Sequence, residues 1–165
     1  MSRGERLAWM ALIAFAVVLR FWALGARPPH HDEAIHCDFA YTLMTQGKYE
    51  YDPTYHGPLI YYVLAPLFAI LGVSTVVGRL YPALAGVALV ALPLALRRRL
   101  GPRAAWWTGL LLAISPVLLY YSRFAREDLP VAFFTALAFV LFLRVRKKGW
   151  RSIPWIGAAA AGPPR

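Results

Sequence analysis

The sequence is poor in cysteine and in acidic side chains. Its one cysteine, Cys37, excludes an intramolecular disulfide and predicts a small apolar filler rather than a redox site. Only 8 acidic residues stand against 18 basic ones, which gives a formal charge of +10. The basic residues fall in tight blocks at the ends of apolar runs instead of spreading over one solvated face. The excess charge therefore indicates membrane topology and excludes nucleic acid as a partner.

Apolar side chains are abundant, since hydrophobic residues make up 59% of the chain and the mean hydropathy is +0.50. A soluble core of 165 residues could not bury this much apolar surface. The composition predicts an all-α, polytopic integral membrane protein with about four transmembrane helices. The predicted spans are residues 7–24, 76–96, 104–121 and 129–146. A cleaved signal peptide is the alternative for the first run, but that run exceeds the usual apolar region of a signal.

The apolar segment 59–71 decides the predicted topology, because its length falls short of the roughly 17 residues needed to cross a bilayer. If it lies in the interface, all the basic blocks share the cytoplasmic side, as the positive-inside rule requires. The sequence thus predicts a protein of the cytoplasmic membrane with a cytoplasmic N-terminus and an outer loop at 25–75. We expect one membrane domain over 1–165, forming the N-terminal part of a larger protein, because the last apolar segment, 153–162, is too short to span.

The outer loop contains most of the acidic residues and all four histidines. Asp32 is placed to cap a helix, with Glu33 in its first turn. An apolar stripe follows and Gly47 offers a stop, so the sequence predicts an amphipathic helix at the interface. The stripe consists of Ile35, Phe39 and Leu43.

Two polar clusters contain the candidate catalytic and substrate-binding residues. Asp32 and Glu33 are candidate catalytic residues, because partial burial at a water–lipid boundary raises a carboxylate pKa toward the working pH of a general base. Neighbouring helical residues point about 100° apart, so we expect one of them to face the reacting centre and the other a cap or an arginine. The second cluster offers arginines that can hold a phosphate, next to two further acids. Its members are Arg123, Arg126, Glu127 and Asp128.

His31, His36 and His56 are further candidates for substrate binding. Asp32 and His36 lie four residues apart on one helix face, which leaves a divalent metal open as a cofactor. Interfacial hydrogen bonding is the alternative role for these histidines. Arg20 and Arg79 are predicted to snorkel to the interface from the outer ends of their spans.

Three stretches resemble a known family. HHDEAIH, YDPTYHGPLIYY and SRFARED, with the Arg-Leu-x-Pro-Ala-Leu run from Arg79 to Leu84, are similar to the GT-C membrane glycosyltransferases. The chain looks most like the protein O-mannosyltransferase and aminoarabinose-transferase-like group. Within that group it resembles prokaryotic, archaeal-type members linked to polyprenyl-phosphate sugars. The resemblance covers residues 1–151.

The resemblance implies a transferase that moves a sugar from a polyprenyl-phosphate donor to a protein, lipid or glycan acceptor at the outer membrane face. Asp32 matches the catalytic carboxylate and Glu33 its partner, while Arg126, Glu127 and Asp128 match elements of the second loop. Members of the family have more spans, so activity is expected to need segments that this chain lacks. The alternative is a non-enzymatic membrane component that presents or flips lipid-linked sugars, which the near absence of polar residues within the spans disfavours.

Overall fold

The computed structural model describes residues 1–49 and 57–148, and every regular element in these ranges is helical. The predicted all-α class is therefore confirmed. The α-helices are α1 (Arg3–Phe21), α2 (His31–Gln46), α3 (Leu59–Leu71), α4 (Thr75–Ala91), α5 (Arg97–Leu100), α6 (Pro102–Ile114), α7 (Pro116–Ser122) and α8 (Asp128–Lys148). A 3₁₀ stretch, Leu92–Leu96, joins α4 to α5. His56 and the apolar segment 153–162 lie outside the described residues.

Two helices of the described ranges are long and apolar enough to cross a membrane, namely Thr75–Leu100 and Asp128–Arg146. Helices α6 and α7 make a third span if the pair, bent by 60°, is counted as one. Helix α3, with 13 residues, is shorter than a span, in line with its predicted interfacial position. Helix α1 has 19 residues but carries charge near both ends, so its crossing stays a prediction.

Helix α4 is the centre of the bundle, in contact with α1, α3, α6, α7 and α8. Small residues on α4 allow the close approach that such packing needs. At Gly86, a Cβ atom would lie 2.7 Å from Nε of Arg20 and 2.8 Å from Cβ of Ser122. Glycine is required here because α1 and α7 both press against the backbone of α4.

Arg20 is 1% exposed, so the prediction that it snorkels to the interface is wrong. In an uninterrupted helix, the carbonyl of Leu112 would accept a hydrogen bond from the N–H of residue 116. Residue 116 is a proline and has no N–H, so this carbonyl is left without its helical donor. The Arg20 guanidinium donates to that oxygen at 3.2 Å and to the carbonyl of Ala113 at 3.4 Å. Arg20 therefore satisfies acceptors that the break between α6 and α7 leaves open.

The basic blocks gather at one end of the bundle. Arg97 of α5 pairs with Glu5 of α1, and Arg144 of α8 donates to the carbonyl of Ala95 at 3.5 Å. The segments leading into α2, α4 and α8 meet at the opposite end, as the contacts of Glu33 described below show. The fold thus separates an end with an excess of basic residues from an end of mixed charge.

Helix α2 begins at His31, two residues earlier than a cap at Asp32 allows. The N-cap is His30, whose Nδ1 accepts from the N–H of Asp32 at 3.3 Å, while the Glu33 carboxylate accepts from the N–H of His30 at 2.9 Å. The predicted capping role of Asp32 is therefore wrong, because the residue lies inside the first turn. The predicted end at Gly47 is confirmed, with φ of 66°.

The buried side of α2 is centred on Glu33, His36 and Ala40 rather than on the predicted apolar stripe. Phe39 and Leu43 of that stripe pack partly buried against α3. The buried cluster between α2, α3 and α4 consists of Ala40, Ile60, Tyr61, Leu64, Phe68 and Val77. This packing fixes the orientation of α2, which carries the first acidic pair.

We predict that Gly86→Ala destabilises the protein by about 1 to 3 kcal/mol, because the added methyl group meets the backbone-proximal Cβ of Ser122. The measurement is thermal unfolding in detergent. Gly4→Ala is the matched control, since a Cβ at Gly4 in α1 meets nothing within 4 Å and should be neutral or slightly stabilising. Equal unfolding temperatures for the two variants would contradict close packing at Gly86.

Candidate functional site

Glu33 joins four segments of the chain and is 1% exposed. Its Oε1 accepts from Nε of Arg79 at 2.7 Å and from the N–H of Ala125 at 2.9 Å. Its Oε2 accepts from Arg79 at 2.8 Å, from Arg27 at 3.2 Å and from the N–H of His30 at 2.9 Å. One carboxylate thereby ties the start of α2 to α4 and to the loop before α8.

Arg79 is 1% exposed as well, so the prediction that it snorkels is wrong. Besides Glu33, its guanidinium donates to the carbonyls of Leu24 at 2.8 Å, Arg27 at 3.0 Å and Pro28 at 3.3 Å. These contacts use the full set of five guanidinium N–H groups. Arg79 therefore holds the segment between α1 and α2 against α4.

The pKa of Glu33 lies below its usual range. Burial alone raises the pKa of a carboxyl, but the hydrogen bonds from Arg79 and from the N–H groups of His30 and Ala125 together outweigh burial. Glu33 is consequently ionised at neutral pH, with both oxygens occupied. These contacts favour a positioning role, and the predicted catalytic role of Glu33 stays a prediction.

Asp32 points away from this buried pair and keeps 38% of its side chain exposed. Its Oδ2 accepts from NH1 of Arg126 at 2.8 Å, across 94 residues of sequence. Nε of Arg126 lies 3.1 Å from Oδ2 of Asp128. The structure thus brings both predicted clusters together and places Arg126 between two carboxylates.

The buried His36 of α2 contacts Glu127. Nδ1 of His36 is 3.1 Å from the Tyr61 hydroxyl, and Nε2 is 3.7 Å from Glu127. His31, in contrast, is exposed. Within residues 1–49 and 57–148, no group of three or more His, Cys, Asp or Glu side chains is arranged to hold a metal, so binding of a metal by Asp32 and His36 finds no support there.

A cavity of about 120 Å³ lies beside the buried ion pair and is lined mainly by cations. Arg123 borders it and donates to the carbonyls of Leu19 at 3.0 Å and Ala23 at 3.1 Å. Arg27 lies over the Tyr120 ring at 5.3 Å from the centroid, close enough for a cation–π contact. The full lining is Leu24, Arg27, Arg79, Tyr120 and Arg123. Glu33 contacts both Arg79 and Arg27 but supplies one negative charge against three arginines, so the cavity carries surplus positive charge and suits an anion.

Arg27 was not singled out from the sequence. It follows the first predicted span, where any arginine resembles a topology signal or a snorkelling side chain. Its contact with Glu33 in α2 and with the carbonyl of Arg123, 96 residues away, depends on tertiary packing. The sequence contains no local signal for these contacts.

A second cavity, of about 260 Å³, is mostly apolar and lies on the other side of Glu33. Cys37 lines it, and burial raises the pKa of this thiol to about 11. The thiol is therefore protonated at neutral pH, which agrees with the predicted role of Cys37 as a filler. The remaining lining residues are Pro29, Glu33, Ala34, Phe68, Val73, Ser74, Thr75 and Ala125.

Comparison with known proteins identifies the family. Residues 55–162 match the family described as dolichyl-phosphate-mannose-protein mannosyltransferase. The chain belongs to this family. The predicted resemblance to the GT-C superfamily is thus confirmed, and membership supports a membrane protein of glycosyltransferase type. The match includes the second polar cluster and not the first.

This dolichyl-phosphate-mannose-protein mannosyltransferase family member also resembles an uncharacterized protein of Aquifex aeolicus (strain VF5). The two are 24% identical over an alignment of 155 residues, and the alignment covers 88% of this chain and 31% of the relative. The chain therefore spans about a third of the length of that protein. No solved structure matches the chain significantly.

We predict that Glu33→Gln destabilises the fold by about 3 kcal/mol or more, because it leaves the buried Arg79 cation without its carboxylate. Glu5→Gln is the matched control and should cost much less, since its ion pair with Arg97 is partly exposed and screened by solvent. Unfolding in detergent, followed by circular dichroism, measures both. Similar losses in the two variants would contradict the central place of Glu33.

The same pair of variants tests a pH dependence. Because the pKa of Glu33 is lowered on folding, its stabilisation is fully present above the unfolded pKa of about 4.5 and is lost as the pH falls through the folded value. The stability of the parent should therefore drop below pH about 4.5. The Glu33→Gln variant should show a smaller drop over the same range.

Proposed function

We propose that this chain supplies the general base and the donor-phosphate contacts of a glycosyltransferase that uses a polyprenyl-phosphate-linked sugar. The observation that carries the proposal is the arrangement of Asp32 and the cationic cavity at one end of the bundle. Asp32 is partly exposed and oriented by Arg126, while Arg27 and Arg123 line a cavity with surplus positive charge. Family membership supports the reaction class.

The proposed reaction needs a base and a cation. A hydroxyl oxygen of the acceptor attacks the anomeric carbon, and its proton passes to the Asp32 carboxylate. The bond between the anomeric carbon and the phosphate oxygen breaks, so the departing polyprenyl phosphate gains negative charge. Arginine guanidinium groups stabilise that charge as it develops. Protein, lipid and glycan acceptors all offer such a hydroxyl.

We assign the donor phosphate to Arg27 and Arg123 rather than to Arg126, which the sequence favoured. Arg126 already lies within 3.1 Å of carboxylate oxygens of both Asp32 and Asp128. Its charge is therefore compensated, and its position suits orienting Asp32. Within residues 1–49 and 57–148, the Arg123 side chain donates to backbone carbonyls, which leave its charge uncompensated. Arg27 shares the single charge of Glu33 with Arg79.

We propose further that the site faces the outer side of the cytoplasmic membrane and that the N-terminus is cytoplasmic. The gathering of Arg97, Arg144 and the N-terminal arginines at the opposite end supports this orientation through the positive-inside rule. Donor and acceptor would then meet at the outer headgroup layer.

We expect Asp32→Asn to lower sugar transfer by about 100-fold or more, because the amide cannot accept the acceptor's proton. The assay measures polyprenyl phosphate released from a short-chain polyprenyl-phosphate mannose. Asp38→Asn, an exposed change on the same helix, is the matched control and should transfer normally. Near-normal transfer with Asp32→Asn would remove Asp32 as the base.

Measurements of donor binding, taken together with sugar transfer, distinguish the enzyme from a non-enzymatic protein that presents lipid-linked sugars. We expect Arg27→Gln to weaken binding of the same donor by about 1.5 to 3 kcal/mol, the range for a hydrogen bond to a charged group, and Arg27→Lys to recover part of this loss. Arg126→Ala should affect donor binding less and transfer more. Calorimetry on purified protein in detergent measures the binding.

Arg98→Gln, at the basic end of the bundle, is the control and should bind the donor as the parent does. A greater loss with Arg126→Ala than with Arg27→Gln would return the phosphate to Arg126. Tight donor binding by the parent without any transfer would favour a non-enzymatic protein that presents lipid-linked sugars.

A further inference from the structure

The basic end of the bundle contains a cavity that the proposed transfer does not use. It has a volume of about 230 Å³ and lies between the start of α1 and the start of α6. Its lining consists of Glu5, Ala8, Pro102, Arg103, Trp106 and Trp107. The cavity therefore combines apolar and aromatic walls with one cation, at the end remote from Asp32.

The two tryptophans form a rigid wall at this site. Their rings meet edge to face, with centroids 5.3 Å apart, and Nε1 of Trp106 donates to the carbonyl of Ala8 at 3.4 Å. Trp107 remains 58% exposed. Both rings lie within about two turns of the start of α6, which is headgroup depth for a helix that crosses a bilayer.

The net charge around the cavity is positive. Glu5 is the acidic residue in its wall, and Arg97 neutralises this carboxylate through contacts with both oxygens. Across residues 1–49 and 57–148, Arg103 forms no ion pair, and its side chain is exposed. An occupant with negative charge and an apolar body complements this arrangement.

We propose that this cavity binds an anionic phospholipid, with the headgroup phosphate at Arg103 and the upper acyl chain against Trp106 and Trp107. A phosphodiester lies at the depth of the arginine, and the chain below it meets the aromatic wall. A zwitterionic phospholipid offers the same chain but an additional positive charge, which Arg103 repels. The site therefore selects lipids by headgroup charge.

The experiment titrates the purified, delipidated chain in a neutral detergent with phosphatidylglycerol or phosphatidylcholine. Native mass spectrometry counts the bound lipid and yields an apparent Kd for each. The parent should prefer phosphatidylglycerol. Arg103→Gln should reduce this preference by about five-fold, the worth of one basic residue at an anionic membrane surface.

Three further variants make the result specific. Arg103→Lys keeps the charge and should retain most of the preference, whereas Trp107→Leu should weaken binding of both lipids by removing the aromatic wall. Arg27→Gln, at the other end of the bundle, should leave phosphatidylglycerol binding unchanged. The proposed lipid site and the proposed donor site can then be refuted independently, since Arg103→Gln should not alter donor binding.

Two results would overturn the proposal. One is equal affinity of the parent for the two lipids. The other is an unchanged preference in Arg103→Gln, with that variant folded as judged by circular dichroism. Either result would indicate that the cavity is an apolar contact for another polypeptide segment.

Discussion

The ion pair between Glu33 and Arg79 is the interaction on which the rest of the site depends. Removing two charges from water costs several kcal/mol for each ion, and their attraction repays this only when the remaining hydrogen-bonding positions are satisfied. Here the guanidinium has its full set of partners and the carboxylate accepts five hydrogen bonds. The pair can therefore be buried, and it connects the start of α2 to α4 and to the loop before α8.

The buried pair also determines what the neighbouring acid can do. Because Glu33 points into the bundle, helical geometry turns Asp32 about 100° away, toward the surface. There Asp32 meets Arg126 and remains accessible to another molecule. Two adjacent carboxylates thus have different environments, one ionised and fully occupied, the other exposed and oriented. This division supports the proposed assignment of structure to Glu33 and proton transfer to Asp32.

Arginine has distinct uses in different parts of the molecule. Arg20 and Arg79 are buried and satisfy backbone carbonyls where helices break or begin. Arg27 and Arg123 border a cavity at the end of mixed charge. The arginines of the basic end are mostly exposed, as a topology signal requires. The guanidinium group suits these uses because its planar set of donors can satisfy several acceptors at once.

The sequence by itself determined the helical class, the end of α2 at Gly47, the short α3 and the family, because these depend on local composition, turn chemistry and motif. It also singled out Asp32 and Arg126 as candidates, since acidic and basic residues in loops between apolar runs are distinctive. Tertiary structure decided which arginines are buried, that His30 caps α2, and that Arg27 lines the cationic cavity. These outcomes depend on contacts such as Arg79 with Glu33, across 46 residues, and Arg20 with Leu112, across 92. In sequence, a buried arginine and a snorkelling arginine at the same end of a span look alike, because only packing reveals which acceptors lie within reach.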